Sequence, residues 1–184
     1  DLTADICRER KIQFDKQGFE EQMNIQKTKA RMTNKFNYSQ DFDCPDPPTK
    51  FVGYESDYSE AKIISIYKDG ASVETAFPGD KISLTLSESC FYAESGGQVG
   101  DKGFLESNKS TIIISDTTKN TQGVFLHHGL VKDDEIKVNQ SVKAFVDVEN
   151  RINIKRNHSG THLVHEALRR IVGDHVAQRG SFNS

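Results

Sequence analysis

The chain has 184 residues, of which 35% are hydrophobic and 28% charged, and it carries a formal net charge of −3. This length suits one or two domains with a sizeable core. The sequence has no long apolar run, so neither a signal peptide nor a membrane span is predicted. Three cysteines, Cys7, Cys44 and Cys90, have no metal-binding spacing and suit the reduced thiols of a cytoplasmic protein.

The first part of the chain is predicted to be helical. Phe19, Met23 and Ala30 follow the spacing of one helix face among good helix formers, and Gly18 marks a point where the segment divides. The prolines of the segment 44–48 remove backbone donors and disfavour helix before them, which places a boundary between residues 36 and 49. We therefore assign residues 1–42 to a helical linker.

Short β-strands are predicted after the prolines. At least six alternating apolar runs occur at regular spacing between residues 51 and 148, which favours a small antiparallel β-barrel over residues 43–149. Asp69-Gly70 is typical of a tight hairpin turn. The last run, residues 141–148, should place Val142, Ala144, Val146 and Val148 on its apolar face.

A glycine-rich run lies within the predicted barrel. Residues 90–103 contain four glycines, and the central part reads Glu94-Ser95-Gly96-Gly97-Gln98. Taken alone, such glycines indicate turns and bulges. No Gly-Lys-Ser/Thr follows, so a phosphate-binding P-loop is not predicted.

A second helix is predicted after Asn150, with Gly173 at its C-terminal end. Its apolar stripe consists of Leu163, Ala167, Leu168, Ile171 and Val172. Residues 150–184 are assigned to a third, truncated unit.

His158 and His162 lie one turn apart near the start of this helix, so both rings can converge on one metal ion. Zinc needs three or four donors, and we assign no residue after His162 to its shell, so the site is expected to be incomplete. A pair of metal-free surface histidines is the alternative. For His165 we expect a packing role, and for His127-His128 a structural pair at a turn.

Together the glycine-rich run and the histidine pair resemble the editing region of alanyl-tRNA synthetases and of freestanding alanyl editing proteins. In that family the two motifs meet in one pocket, and a later Cys-x-x-x-His supplies the remaining zinc ligands. The resemblance implies an α+β fold: a helical linker from the tRNA-recognition half, an antiparallel β-barrel, and the first helix of an α/β editing subdomain.

The resemblance also implies the chemistry. The parent enzyme would join alanine to its tRNA using ATP and magnesium, both bound outside this chain, and this region would hydrolyse seryl- or glycyl-tRNA using zinc held by His158 and His162. This part alone is expected to be inactive. The substrate would be positioned by Gln98, Gly96, Gly97 and Thr161.

Charge is distributed unevenly along the chain. Residues 41–80 contain nine acidic residues against three lysines, which disfavours phosphate binding there. The excess of basic residues after position 150 indicates a face for tRNA, unless these are ordinary solvated helix residues. The candidate RNA contacts are Arg151, Lys155, Arg156, Arg169, Arg170 and Arg179.

The expected partners are the tRNA for alanine and its esters with alanine, serine and glycine, with neither DNA nor a membrane. Two alternatives remain open. One is the editing domain of a freestanding alanyl editing protein or of threonyl-tRNA synthetase, which shares the histidine pair. The other is a non-catalytic tRNA-binding module.

Overall fold

The computed structural model describes Gly18 and residues 44–176. The predicted linker helix, apart from Gly18, and Arg179 therefore lie outside the described residues. Residues 44–176 contain eleven strands and one long helix: β1 Lys50–Phe51, β2 Tyr58–Lys68, β3 Ala71–Val73, β4 Thr75–Ala76, β5 Lys81–Leu86, β6 Glu88–Ser89, β7 Gly103–Glu106, β8 Thr111–Lys119, β9 Phe125–Val131, β10 Ile136–Lys137, β11 Ser141–Val146 and α1 Val148–Val172.

Six of these strands close into an antiparallel barrel. Their order is β11-β7-β8-β9-β5-β2, and β11 also pairs with β2, with Ala144 opposite Ser59. Strand β3 continues the sheet beside β2, and four of the shortest strands form two small two-stranded sheets. The predicted α+β class with a small antiparallel barrel is confirmed.

Alternating residues of the barrel strands fill its interior, because successive side chains of a strand point to opposite faces. The packed cluster includes Ile63, Ile66, Leu84, Leu105, Ile112, Ile114, Val142 and Ala144. Strand β5 departs from simple alternation: every residue from Ile82 to Leu86 is buried. One cause is the Asp46 carboxylate, which accepts hydrogen bonds from Thr85 Oγ1 at 2.5 Å and Ser65 Oγ at 2.9 Å. The proline-rich segment is thereby fixed to the barrel.

The hairpin turn between β2 and β3 is formed as predicted. Asp69 and Gly70 have φ angles of 52° and 84°. Two successive positive φ angles are those of a type I′ turn, whose twist matches that of the flanking strands. The Asp-Gly pair is therefore sufficient to explain the turn.

Helix α1 begins earlier than predicted and ends where predicted. The Asp147 carboxylate accepts a hydrogen bond from Asn150 N at 3.0 Å and caps the helix, so Val148 starts α1 instead of completing the apolar face of β11. Val148 is accordingly 42% exposed. At the other end Gly173 is the C-terminal cap.

The apolar stripe of α1 is exposed among the described residues. Leu163 and Ile171 retain 72% and 82% of their accessible surface. Arg151 and Ile154 are the buried residues of the helix. None of the helical segments in the described part of the chain combines the length and apolar character that crossing a membrane requires.

Candidate functional site

The central glycines of the glycine-rich run form the tip of a tight turn. Ser95 and Gln98 exchange two backbone hydrogen bonds, of 3.1 and 3.0 Å. Between them Gly96 and Gly97 have φ angles of 60° and 82°, again the pattern of a type I′ turn. The backbone around Gly96 is open, since a Cβ atom added there would meet no atom within 4 Å.

The loop of residues 92–101, which carries this turn, is closed at its base. Tyr92 N donates to Asp101 Oδ2 at 2.6 Å, and Asp101 N donates to Tyr92 O at 2.9 Å. Glu94 N donates to Thr117 O of β8 at 2.8 Å, and Gly100 passes so close to β8 that a Cβ atom would lie 2.1 Å from the same oxygen. The barrel therefore supports the loop from below and leaves its tip accessible.

Burial raises the pKa of the Glu94 carboxyl, and the nearby charge of Asp116 raises it further. Glu94 of the loop and Asp116 of β8 thus form an acidic pair where the loop meets the barrel. Such a pair disfavours phosphate and favours a cationic group.

A buried ion cluster joins α1 to the base of this loop. Arg151 is 3% exposed, and its guanidinium donates to Asp101 through Nε, at 3.0 Å, and through Nη2. The same group donates to Asp57 Oδ1 at 2.6 Å and to the carbonyl oxygens of Gly53 and Cys90. Although burial lowers the pKa of Arg151, its bonds to Asp101 and then its attraction to Asp57 outweigh this effect and raise the pKa above the ordinary value.

These contacts use all five N–H donors of the guanidinium. Arg151 has no donor left for a phosphate, so its assignment as an RNA contact is corrected: its charge is neutralised inside the protein.

The histidine pair converges as its spacing predicts. The Nε2 atoms of His158 and His162 lie 3.0 Å apart, with ring centroids at 4.7 Å and an angle of 73° between the rings. Two imidazoles bound to one tetrahedral zinc ion at 2.0–2.1 Å would place these nitrogens about 3.3 Å apart. A small rotation of the rings gives that separation, so this pair fits half of a zinc site.

Further donors do not surround the pair within the described residues. No group of three or more His, Cys, Asp or Glu side chains suited to a metal occurs between residues 44 and 176. The Nδ1 atom of His158 is buried and has no hydrogen-bond partner among the residues that the structure describes. In zinc sites a partner commonly fixes this second nitrogen of a histidine ligand.

The remaining predicted substrate-positioning residue on α1, Thr161, lies beside His162. Its hydroxyl donates to Asn157 O at 3.0 Å. The hydrogen bonds of the described residues include none that joins the glycine turn to either metal-type histidine. His165 donates from Nε2 to Val176 O at 3.4 Å, which holds Val176 against α1.

His127 and His128 form the expected structural pair, but they lie within β9 and not at a turn. His127 is fully buried; Nδ1 donates to Leu84 O at 3.2 Å and Nε2 accepts from Ser89 Oγ at 2.7 Å. His128 points to the opposite face, where its two nitrogens lie 2.8 Å from Ser83 Oγ and from Thr118 Oγ1. Burial lowers the pKa of both imidazoles, that of His127 to about 4.

Four of the other predicted RNA contacts, Lys155, Arg156, Arg169 and Arg170, are exposed on α1, whereas Arg179 lies outside the described residues. Arg170 pairs with Glu166 at 2.8 Å and Arg169 with Asp174 at 3.3 Å, both at the surface, where such pairs contribute little. Lys155 and Arg156 have no ion pair within the described part of the chain. Two cations are thus available near the histidine pair.

Comparison with known proteins identifies a consistent set of relatives. A family model described as tRNA synthetases class II (A) matches residues 1–150. The chain is 46% identical over 182 residues to an alanine–tRNA ligase of Polynucleobacter asymbioticus and 45% identical over 183 residues to one of Idiomarina loihiensis. Each match covers 98% of this chain and 21% of the relative. The chain therefore spans about a fifth of the length of these relatives.

Proposed function

The chain belongs to the family of class II (A) tRNA synthetases, and from this premise we propose that it is the part of an alanine–tRNA ligase that hydrolyses mischarged seryl- and glycyl-tRNA. The observation that carries the proposal is the convergence of His158 and His162 Nε2 at 3.0 Å on one helix. The ligation of alanine, with its ATP and magnesium, belongs in this proposal to other parts of the full-length protein.

Editing is needed because binding alone distinguishes similar amino acids by only a small difference in free energy. A pocket for alanine gains only about 1–3 kcal/mol against an amino acid that differs by one methylene or one hydroxyl group. Glycine lacks the methyl group and serine adds a hydroxyl, so both enter the ligation site at an appreciable rate. A second site that hydrolyses the wrong ester removes these errors.

His158 and His162 would hold a zinc ion together with donors from elsewhere in the full-length protein. When bound, zinc polarises an ester carbonyl and lowers the pKa of water, which are the requirements of ester hydrolysis at neutral pH. The rigid helix keeps the two imidazoles at a fixed separation, because both project from adjacent turns of one face.

The glycine turn would bind the esterified amino acid. Its backbone is open at Gly96 and admits a ligand closely there, and the Gln98 amide offers both a donor and an acceptor for the ester or a water molecule. Glu94 and Asp116 supply the negative charge that attracts an α-ammonium group. Thr161, whose hydroxyl is held by Asn157 O, is placed beside His162 to distinguish serine from alanine.

The test is hydrolysis of serine from the tRNA for alanine by the full-length protein. We expect His158→Ala to lower kcat/KM by more than the roughly 100-fold that changes around metal ligands cost, because it removes a ligand itself. Gln98→His should also reduce hydrolysis, and neither change should alter the ligation of alanine. A chelator should abolish hydrolysis by the unaltered protein.

The matched control is His175→Ala, an exposed histidine beyond the end of α1. It should hydrolyse seryl-tRNA as the unaltered protein does. Wild-type rates in both His158→Ala and Gln98→His, or hydrolysis that survives the chelator, would refute the editing proposal.

A tRNA-binding module without catalysis is the second candidate, favoured by the two available cations. Because each phosphate contact contributes about one unit to the slope of log K against log salt concentration, we expect Lys155→Ala combined with Arg156→Ala to reduce that slope by about two. The measurement is a salt titration of tRNA binding. Lys132→Ala, an exposed lysine after β9, is the control; an equal slope in the double variant and the unaltered protein would exclude this face as the contact.

A further inference from the structure

We propose that Arg151 is a positioning residue: its ion pair with Asp101 sets the rotation of α1 about its own axis and so turns His158 and His162 toward the glycine loop. This inference rests on the proposed editing function for its purpose. Its structural content is independent of that function, because it concerns how one helix is fixed to the barrel.

Helix α1 has few anchors among the described residues. Arg151 and Ile154 are its buried residues, and Ile154 is 2% exposed. From Lys155 to Val172 the side chains are exposed or only partly buried. The orientation of the histidines is therefore determined at the first turns of the helix, where Arg151 makes directional bonds and Ile154 makes non-directional apolar contacts.

Arg151 binds the base of the glycine loop and not merely the barrel wall. Asp101 Oδ2, which accepts from Arg151, also accepts from Tyr92 N at 2.6 Å, and these two residues close the loop that carries Gln98. Arg151 Nη2 also donates to Cys90 O at 2.5 Å, two residues before Tyr92. One planar guanidinium thus fixes the start of α1 relative to the base of the loop.

Both histidines lie on the same face of α1 as Arg151. His158 and His162 lie seven and eleven residues beyond Arg151, which at about 100° per residue places each within about 20° of the direction of Arg151. They project about 10 and 16 Å further along the axis. The face that Arg151 turns to the loop base is therefore the face that presents both imidazoles, and a shift of one residue would rotate them by about 100°.

The inference is tested by the distance between spin labels on the loop and on the helix in this chain. Labels are attached at Ser95→Cys and Leu163→Cys, both exposed positions, in a Cys7→Ser background; Cys44 and Cys90 are buried and should not react. We expect one narrow distance distribution with Arg151. In Arg151→Met the distribution should broaden or shift by up to about 8 Å, the displacement of a side chain 5 Å from the axis when a helix turns by 100°.

Arg151→Lys is the second variant, for the case that Arg151→Met does not fold. It keeps the charge, but one ammonium group cannot bind Asp101, Asp57 and two carbonyl groups in the plane that the guanidinium uses. It should also broaden the distribution. Asp57→Asn is the control, because it leaves the link between Arg151 and Asp101 intact. A distribution in folded Arg151→Lys that matches the unaltered chain would overturn the inference.

Kinetics of the full-length protein give the functional readout. Arg151→Lys should lower kcat for seryl-tRNA hydrolysis by about 10- to 100-fold, as loss of support around a metal site does, while KM changes little. A purely stabilising role would leave kcat unchanged well below the melting temperature, and that result would overturn the positioning role. An unaltered protein that hydrolyses no seryl-tRNA would refute the proposed function instead, and the spin-label distances would still decide the structural claim.

Discussion

Replacement of Asp101 by alanine is expected to lower the free energy of unfolding by about 3–5 kcal/mol, because removal of one partner leaves the other charge buried and uncompensated. Asp101 is 1% exposed and Arg151 3% exposed. Arginine does not lose its proton in proteins, so Arg151 cannot escape the cost by becoming neutral. Tyr92 N would lose its acceptor as well. Urea unfolding at pH 7.5, followed by circular dichroism, measures the change.

The matched control is Asp57→Ala. Asp57 is the second carboxylate bound to Arg151, but its side chain is 49% exposed, so water can replace it and the expected cost is about 1 kcal/mol or less. The double variant Asp101→Ala with Arg151→Met should be more stable than Asp101→Ala alone, since no charge is then buried without a partner. Equal losses for Asp101→Ala and Asp57→Ala would contradict this account of the cluster.

The barrel was predictable because its signals are local. Alternation of apolar residues along β11 and the Asp69-Gly70 turn each depend on residues close in sequence, and both are formed as expected. The end of α1 at Gly173 was likewise predicted from a local signal. Val148 was predicted wrongly because two local signals compete there: alternation continues through it, but Asp147 caps a helix immediately before it.

The role of Arg151 was not predictable, because its partners lie far away in sequence. Asp101 is 50 residues and Asp57 94 residues before it. In the sequence it heads a basic segment, and charge counting placed it with the RNA contacts. Burial follows only once β11 has closed the barrel against β2 and β7, which brings the start of α1 over the base of the glycine loop. Asp101 itself stands within the glycine-rich run, but no spacing rule connects it with an arginine after β11.

The candidate site was predictable in part, because some of its signals are also local in sequence. The convergence of His158 and His162 follows from helix geometry alone. The turn at Gly96-Gly97 requires two positive φ angles, which glycine adopts at little cost. The apolar stripe of α1 is exposed among the described residues, so amphipathic spacing predicted the helix but no neighbour for it.

The stability of the chain is expected to fall as the pH decreases from 6.5 to about 4 because His127 must bind a proton on unfolding. Burial lowers the pKa of His127 to about 4, against an ordinary value of 6.5; the bond to Leu84 O opposes this shift and the charge of His128 adds to it. The neutral form of His127 satisfies both ring nitrogens, since Nδ1 donates to Leu84 O and Nε2 accepts from Ser89 Oγ. The Phe91 ring packs edge-to-face against the imidazole, with the two ring centroids 5.4 Å apart. A proton on Nε2 would remove that acceptor in a site closed to water.

Between these two pKa values the unfolded chain binds a proton at His127 and the folded chain does not. The free energy of unfolding therefore rises with pH over this interval, is fully recovered above about pH 6.5, and is reduced through this group by about 3 kcal/mol at pH 4. Urea unfolding of the chain at half-unit steps from pH 4 to pH 7.5 measures the slope. Carboxyl groups ordinarily titrate near pH 4, so the contribution of His127 must be isolated by substitution.

His127→Gln isolates it, because a glutamine amide donates to Leu84 O and accepts from Ser89 Oγ but does not titrate. The variant should lose the part of the slope between pH 4 and 6.5 that belongs to one proton, about 1.4 kcal/mol for each pH unit. His175→Gln, at an exposed histidine, should keep the slope of the unaltered chain. If His127→Gln and the unaltered chain show the same slope, His127 is protonated in the folded protein at these pH values, and the hydrogen bonds to Leu84 and Ser89 do not hold it in the neutral form.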